Sequence, residues 1–300
     1  MYEHLVPEAA ALVKASDAAR VAWIQSNHWQ PTETSKRVFE WMLYLLRSER
    51  TPDPLCMQII ASGGGGKSAM VMRFADMHPP ETVANEPSRL RRPVLLADCL
   101  NAPKGPRGLA YAILRSAWPQ APATDRFYNE DWALETLRKQ GVRLLILDEA
   151  AEVMVGGALN HKQSINFVKR IITQLQINVV TATVHGLDSA FAKDPQMSSR
   201  FERRFEIPEW QEGDVFRSFL YGYERFLPFP KPSDLDGREK MRLLAIGSKG
   251  NMRSLVRLIS LSALWAVSKR ADHISAAHIE LARDVDSPPP PVAIKRPLEA

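Results

Sequence analysis

Cysteine is nearly absent: 300 residues hold two, Cys56 and Cys99, each beside an apolar run and neither with partners at metal-ligand spacing. That excludes a disulfide-stapled scaffold and a cysteine-built zinc site, and leaves two reduced thiols in a core. Long apolar runs are missing too. Nothing approaches the roughly 18 to 20 residues that a membrane span needs, and the first residues, with Glu3, His4 and Glu8, lack the charged-then-apolar order of a secretory signal. A cytoplasmic protein with no membrane partner is expected. Neither sign of charge is in great excess. The 39 Lys and Arg against 34 Asp and Glu give a net charge of +5, which is compatible with an anionic partner without requiring one. Apolar residues are plentiful, at 45% of the chain, enough for one large domain and a smaller one.

Residues 1–50 read as a helical arm. Pro7 to Ala22 is alanine-rich with Leu12, Val13, Ala19 and Val21 loosely at helical spacing, and Thr34 to Arg47 sets Val38, Trp41, Met42, Leu45 and Leu46 on one face. Trp23 and Trp29 between them suit either anchoring the arm on a core or stacking on a base or partner. Residues 51–210 have a different pattern. Leu55–Ile60, Val94–Ala97, Val142–Leu147 and Ile177–Thr183 are apolar runs separated by helical patterns, as expected of parallel strands covered on both faces. The expected fold there is α/β, a doubly wound parallel sheet. Residues 211–285 carry helical patterns only, over Asp214–Phe226, Arg238–Ile246, Asn251–Val267 and Ser275–Asp284. Residues 286–300, with Pro288 to Pro291, read as a proline-rich tail that cannot pack and seeks a partner.

The first apolar run leads into Gly63-Gly64-Gly65-Gly66-Lys67-Ser68-Ala69. A strand, a glycine loop and a helix opened by Lys-Ser direct backbone N–H groups at phosphate oxygens. In the P-loop pattern Lys67 reaches the β- and γ-phosphates and Ser68 ligates Mg²⁺. Ala61 stands where the pattern has its first glycine. About 80 residues later, Leu144 to Leu147 ends in Asp148-Glu149. Asp148 suits the Mg²⁺ shell and Glu149 the polarisation of an attacking water, because phosphoryl transfer depends on positioning and charge neutralisation. ATP and Mg²⁺ are therefore the expected cofactors, and slow ATP hydrolysis the expected activity.

Further residues could complete such a site. Thr183, or in the alternative Thr181, ends the next apolar run where a γ-phosphate sensor would sit, although threonine is also simply a good strand residue. Ser199-Arg200-Phe201-Glu202-Arg203-Arg204 follows a helical pattern. Arg200 there is either an arginine finger for a neighbouring subunit, which requires an oligomer, or part of a solvated basic turn. Gly250-Asn251-Met252-Arg253 opens a helix with Arg253 placed to fold back on a nucleotide.

In this order, the glycine loop, the Asp-Glu strand, the polar strand, the Arg-Phe turn and the Gly-x-x-Arg helix start resemble the AAA+ superfamily over most of residues 30–285. More narrowly, Ala19-Arg20-Val21-Ala22-Trp23-Ile24 with Trp29, Asp194-Pro195-Gln196-Met197-Ser198-Ser199-Arg200-Phe201-Glu202, and Pro208-Glu209-Trp210 resemble TniB. TniB is the ATP-binding subunit of transposons related to the TnsC systems. The resemblance implies a P-loop AAA+ core with an N-terminal helical arm and a C-terminal all-helical lid. It implies a homo-oligomer, as ring or helical filament, that assembles with ATP on double-stranded target DNA and disassembles on hydrolysis. It also implies a transposase to recruit or activate and a TniQ-like target-selection partner. Departures from the family's pattern stand at Ala61 and at Ala151-Glu152. DNA contact is expected from Lys104 and Arg107, in a loop that faces DNA in TnsC-like proteins, with Arg89 to Arg92 as a second basic cluster. Contacts to phosphates predict sequence-tolerant, salt-sensitive binding. A helicase-loader or initiator-type ATPase, and a non-catalytic nucleotide-binding scaffold, are the alternative functions for the same fold.

Overall fold

The alanine-rich start of the chain does not run on as one helix. It forms α1 (Pro7–Leu12) and α2 (Asp17–Ile24), broken where Ser16 takes an extended conformation and its side chain accepts from Ala19 N at 3.3 Å, the preferred role of serine at a helix start. Next comes α3 (Glu33–Arg47), followed by β1 (Met57–Ile60), α4 (Lys67–Asp76) and a hairpin of β2 (Glu81–Val83) and β3 (Glu86–Arg91). Then follow β4 (Val94–Asp98), α5 (Pro106–Ala117), α6 (Glu130–Lys139), β5 (Leu144–Asp148), α7 (Ala150–Met154), α8 (Ala158–Leu175), β6 (Asn178–Thr183), α9 (Pro195–Arg200) and β7 (Arg203–Glu206). The remaining elements are helical: α10 (Asp214–Glu224), α11 (Arg238–Ser248), α12 (Met252–Ser268) and α13 (Ala276–Arg283). The computed structural model describes residues 2–83, 86–120, 128–154, 158–184 and 194–284; the proline-rich tail lies outside them.

Two units result. Thr34–Pro208 forms the α/β unit, and the residues before Thr34 join those after Pro208 in the helical unit. This division runs through the 1–50 segment, with α1 and α2 in one unit and α3 almost wholly in the other.

The α/β unit is built on a five-stranded parallel sheet in the order β4-β5-β6-β1-β7. Every residue of β1, β5 and β6 is buried, which is why these strands are apolar throughout rather than alternating. On one face Leu95, Ala97, Leu145, Leu147 and Val179 pack with α5, α6, α7 and α8. α4 crosses β4, β5 and β6 and meets α3 through Phe39 and Phe74, whose rings lie 5.7 Å apart. β7 is a strand where the sequence reads as a turn. It pairs with β1 at the sheet edge and is mostly exposed.

In the helical unit α2 contributes Val21 and Ile24 to a core shared with α10, α11, α12 and α13. Trp23 is an anchor here: its indole N–H donates to Phe226 O at 2.7 Å. Beside it the buried Arg20 donates from Nε and Nη2 to Pro228 O at 3.2 and 3.0 Å. Among the described residues, no helix is long and apolar enough to cross a membrane.

Candidate nucleotide-binding site

Parallel strands leave their carboxyl ends open for ligands, and the glycine loop stands at that end of β1. Gly64 and Gly66 have φ of 77° and 94°, a region that side chains resist. Gly65 is required for another reason: a Cβ there would lie 2.9 Å from Ala61 Cβ and 3.1 Å from Ser62 O. Gly63 faces open space. The loop hands over directly to α4, whose first turn carries no acidic residue and whose start has no side-chain cap. The backbone N–H groups and positive dipole end there suit an anion. Ala69 is exposed in that turn. Lys67 is 3% exposed, and its ammonium folds over the loop to donate to Ala61 O at 2.8 Å and Ser62 O at 3.2 Å.

β5 delivers the carboxylates. Asp148, 6% exposed, lies beside the Ser68 side chain and accepts a hydrogen bond from Glu149 N at 3.0 Å. Burial raises its pKa from the ordinary Asp value, the Ser68 hydroxyl opposes this, and the charges of Glu149 and Asp98 reinforce it. Glu149 holds a φ of 50°, a strained backbone for a side chain that costs about 1–3 kcal/mol and clusters at functional sites.

Sheet order fixes the third component. β6 lies between β1 and β5, so its last residue stands between the loop and the carboxylates. Thr183 pairs with Ile60, and Ala182 with Asp148; Ala61 N donates to Thr183 O at 3.2 Å. The hydroxyls of Thr183 and Thr181 are both buried with no hydrogen-bond partner among the described residues. Thr183 is the one at the strand end, and Thr181 lies two residues, about 7 Å, deeper.

Asp98 is a site residue that the motifs did not single out. It ends β4 opposite Asp148, and its carboxylate accepts from Leu100 N at 2.9 Å. The signal was available, since an acid closes this apolar run just as Asp148 closes another.

The loop after β4 sits at the same sheet end. Cys99 N donates to Asp148 O at 3.0 Å, and Gly105 N to Val153 O at 2.8 Å. Lys104 donates to the backbone oxygen of Glu152 and pairs with its carboxylate at 3.2 Å. Arg107 is exposed on the first turn of α5. Arg200 is elsewhere. Its backbone oxygen accepts from Cys56 N at 2.8 Å, ahead of β1, so it lies at the sheet end opposite the glycine loop. Its guanidinium donates to Asp53 Oδ1 at 3.0 Å and Thr173 Oγ1 at 3.2 Å. Arg253 is exposed near the start of α12, in the helical unit. Both cysteines are buried free thiols. Burial pushes Cys56 up to about 12 and raises Cys99 as well, so neither is a ready nucleophile.

A parallel sheet with a glycine loop, an Asp-Glu strand end and a polar strand between them defines a P-loop ATPase fold of the AAA+ kind. The chain belongs to the TniB family: the family described as bacterial TniB protein matches residues 20–212. None of the curated proteins matches this chain. Among solved structures it is similar to the Aeropyrum pernix ORC2 protein in its ADPNP-ADP complexes, with TM-score 0.63 and 16% identity over 87% of this chain and 70% of that one. The Aeropyrum pernix ORC1 protein in complex with DNA gives TM-score 0.62 and 18% identity over 88% and 68%. The Thermotoga maritima RuvB Holliday junction branch migration motor gives 0.50 and 14% over 87% and 72%. At such identities the likeness is one of fold.

Proposed function

We propose that this chain is an ATP-dependent, DNA-binding regulator of DNA transposition, which oligomerises on target duplex DNA in the cytoplasm and recruits or activates a transposase. The observation that carries the nucleotide reading is the glycine loop that runs into the uncapped start of α4 with Lys67 folded over it, set one strand away from the buried Asp148 at the end of β5. Membership of the TniB family and the net charge of +5 support the rest. The relatives in fold were solved with ADPNP and ADP or with DNA, in line with both ligands.

In this reading Gly63 to Ala69 cradle the phosphates, and Lys67 exchanges two loop carbonyls for phosphate oxygens, a stronger charge-assisted contact. Ser68 and Asp148 would hold Mg²⁺, which neutralises phosphate charge. Mg²⁺ commonly takes one or two protein carboxylates, with the nucleotide and water supplying the remaining ligands, and no cluster of three or more His, Cys, Asp or Glu able to hold a metal occurs among the described residues. Glu149 orients and polarises the attacking water, and Thr183 offers its unpaired hydroxyl to the γ-phosphate. Arg200 would serve a neighbouring copy's site after release from Asp53, and Arg253 the nucleotide from the helical unit. Lys104 and Arg107 contact DNA phosphates. A TniQ-like protein is the expected selector of the target.

Electron microscopy of the protein with duplex DNA and a slowly hydrolysed ATP analogue tests this directly. Rings or filaments are expected, and free monomers under every condition would sink the proposal. Lys67→Ala should lose nucleotide affinity by at least about 100-fold and lose assembly with it. Glu149→Gln should bind ATP and assemble, but hydrolyse at least about 100-fold more slowly, since a positioned base contributes about 10²–10⁴.

A further inference from the structure

Asp98 and Asp148 are Cα partners in the neighbouring parallel strands β4 and β5, which run about 4.8 Å apart. Partners in register send their side chains to the same face of the sheet. Here it is the face opposite to the one where Leu95, Ala97, Leu145 and Leu147 pack. α4 lies against β4, β5 and β6, and its first turn sets Ser68 beside Asp148. Ser68, Asp148 and Asp98 therefore form a row across α4, β5 and β4, buried at Asp148 and open to solvent at Asp98.

The charge of Asp98 is what needs a reason. Its Oδ1 accepts from Leu100 N at 2.9 Å, a side-chain turn that asparagine closes equally well. A carboxylate is costly there, because Asp148 and Glu149 stand close by and like charges repel. None of the three forms an ion pair among the described residues. Beside them the glycine loop, the uncapped start of the ten-residue α4 and the Lys67 ammonium prepare for an anion, which adds further negative charge. A divalent cation offsets such a set. Among the described residues no three of His, Cys, Asp or Glu can close around one ion, so Asp98 acts from outside the direct ligands. Mg²⁺ suits that distance, since it keeps several of its waters when bound.

We propose that Asp98 is a positioning residue for Mg²⁺, its carboxylate accepting from waters that the ion retains and its charge favouring the cation beside Ser68 and Asp148. This rests on the reading of the chain as a protein that binds ATP with Mg²⁺.

The test titrates the full-length protein with Mg²⁺ in the presence of a fluorescent ATP analogue, and measures the affinity for the analogue in EDTA as well. Asp98→Asn keeps an acceptor for Leu100 N. It should raise the Mg²⁺ concentration at half effect at least about tenfold, as removal of a group behind a metal's ligands commonly costs about 10–100-fold in metal affinity. Its affinity in EDTA and its Tm should equal the parent's or exceed them. Asp98→Glu, which restores the charge at an exposed position, should bring the midpoint back to within about threefold of the parent. A residue needed only for the turn predicts a parental midpoint in Asp98→Asn, and that result overturns the proposal. So does a raised midpoint with an equal loss of affinity in EDTA, or a glutamate variant no better than the asparagine one. Failure of the underlying reading shows in the parent itself: no binding of the analogue sinks the nucleotide site, and binding indifferent to Mg²⁺ sinks the cofactor and this proposal with it.

Discussion

Asp148 holds a carboxylate where burial disfavours its charged form, and it accepts a hydrogen bond from Glu149 N. Its pKa in the folded protein is raised above the unfolded value, so the native state holds this proton more tightly. Stability from that difference is fully present below the ordinary Asp value of about 3.9 and is lost as pH rises through the higher folded value. At neutral pH the charged group therefore costs stability. Asp148→Asn should raise Tm at pH 8, by about 2–4 °C if the gain is about 1 kcal/mol, and the gain should shrink as the pH falls through the folded-state value toward the ordinary one. The same variant should lose ATP hydrolysis. Thermal denaturation of both proteins from pH 8 down into the acid range, with a phosphate-release assay, checks both outcomes.

Among the elements, α5 shows how closely the loop after β4 is fitted. A Cβ on Gly108 would stand 1.5 Å from Pro103 O and 3.1 Å from Val153 Cγ1, so any side chain must push loop and helix apart. Gly108→Ala should destabilise the α/β unit by about 1–3 kcal/mol, the usual range for overpacking, read as a lower denaturant midpoint with unchanged slope. The central strands were legible in the sequence because burial on both faces makes them continuously apolar, and the glycine loop and Asp148-Glu149 because their chemistry is local. β7 was not. Arg203-Arg204-Phe205-Glu206 is an exposed edge strand, with no apolar run to give it away; its order comes from pairing with β1 and from Arg203 lying 4.7 Å over the Trp41 ring. Nor was the setting of Arg200 legible, whose partner Asp53 stands 147 residues away. The break between α1 and α2 rests on a single capping serine inside an alanine-rich stretch.

At the scale of the whole molecule the proposed DNA surface must compete with an ion pair already made. Lys104 and Glu152 pair at 3.2 Å with side chains 50% and 48% exposed, and such surface pairs contribute only about 0–1 kcal/mol. Exchanging Glu152 for a phosphate is therefore inexpensive, and the acid acts as a weak competitor at the DNA surface. Removing its charge should favour DNA: Glu152→Gln should tighten duplex binding about two- to fivefold at low salt, within the free energy of one exposed pair. Lys104→Ala with Arg107→Ala should do the opposite, and should reduce the slope of log affinity against log salt by about 0.9 for each phosphate left without its cation. Nucleotide affinity should stay unchanged in all of them, because Lys67 and Ser68 are untouched. Fluorescence anisotropy with duplexes of unrelated sequence, over a range of about 50 to 200 mM salt, measures both effects. Equal slopes in the double variant and the parent would move the DNA surface away from this loop, while a reduced slope that is the same for every duplex would fit a regulator whose choice of target is delegated to a partner.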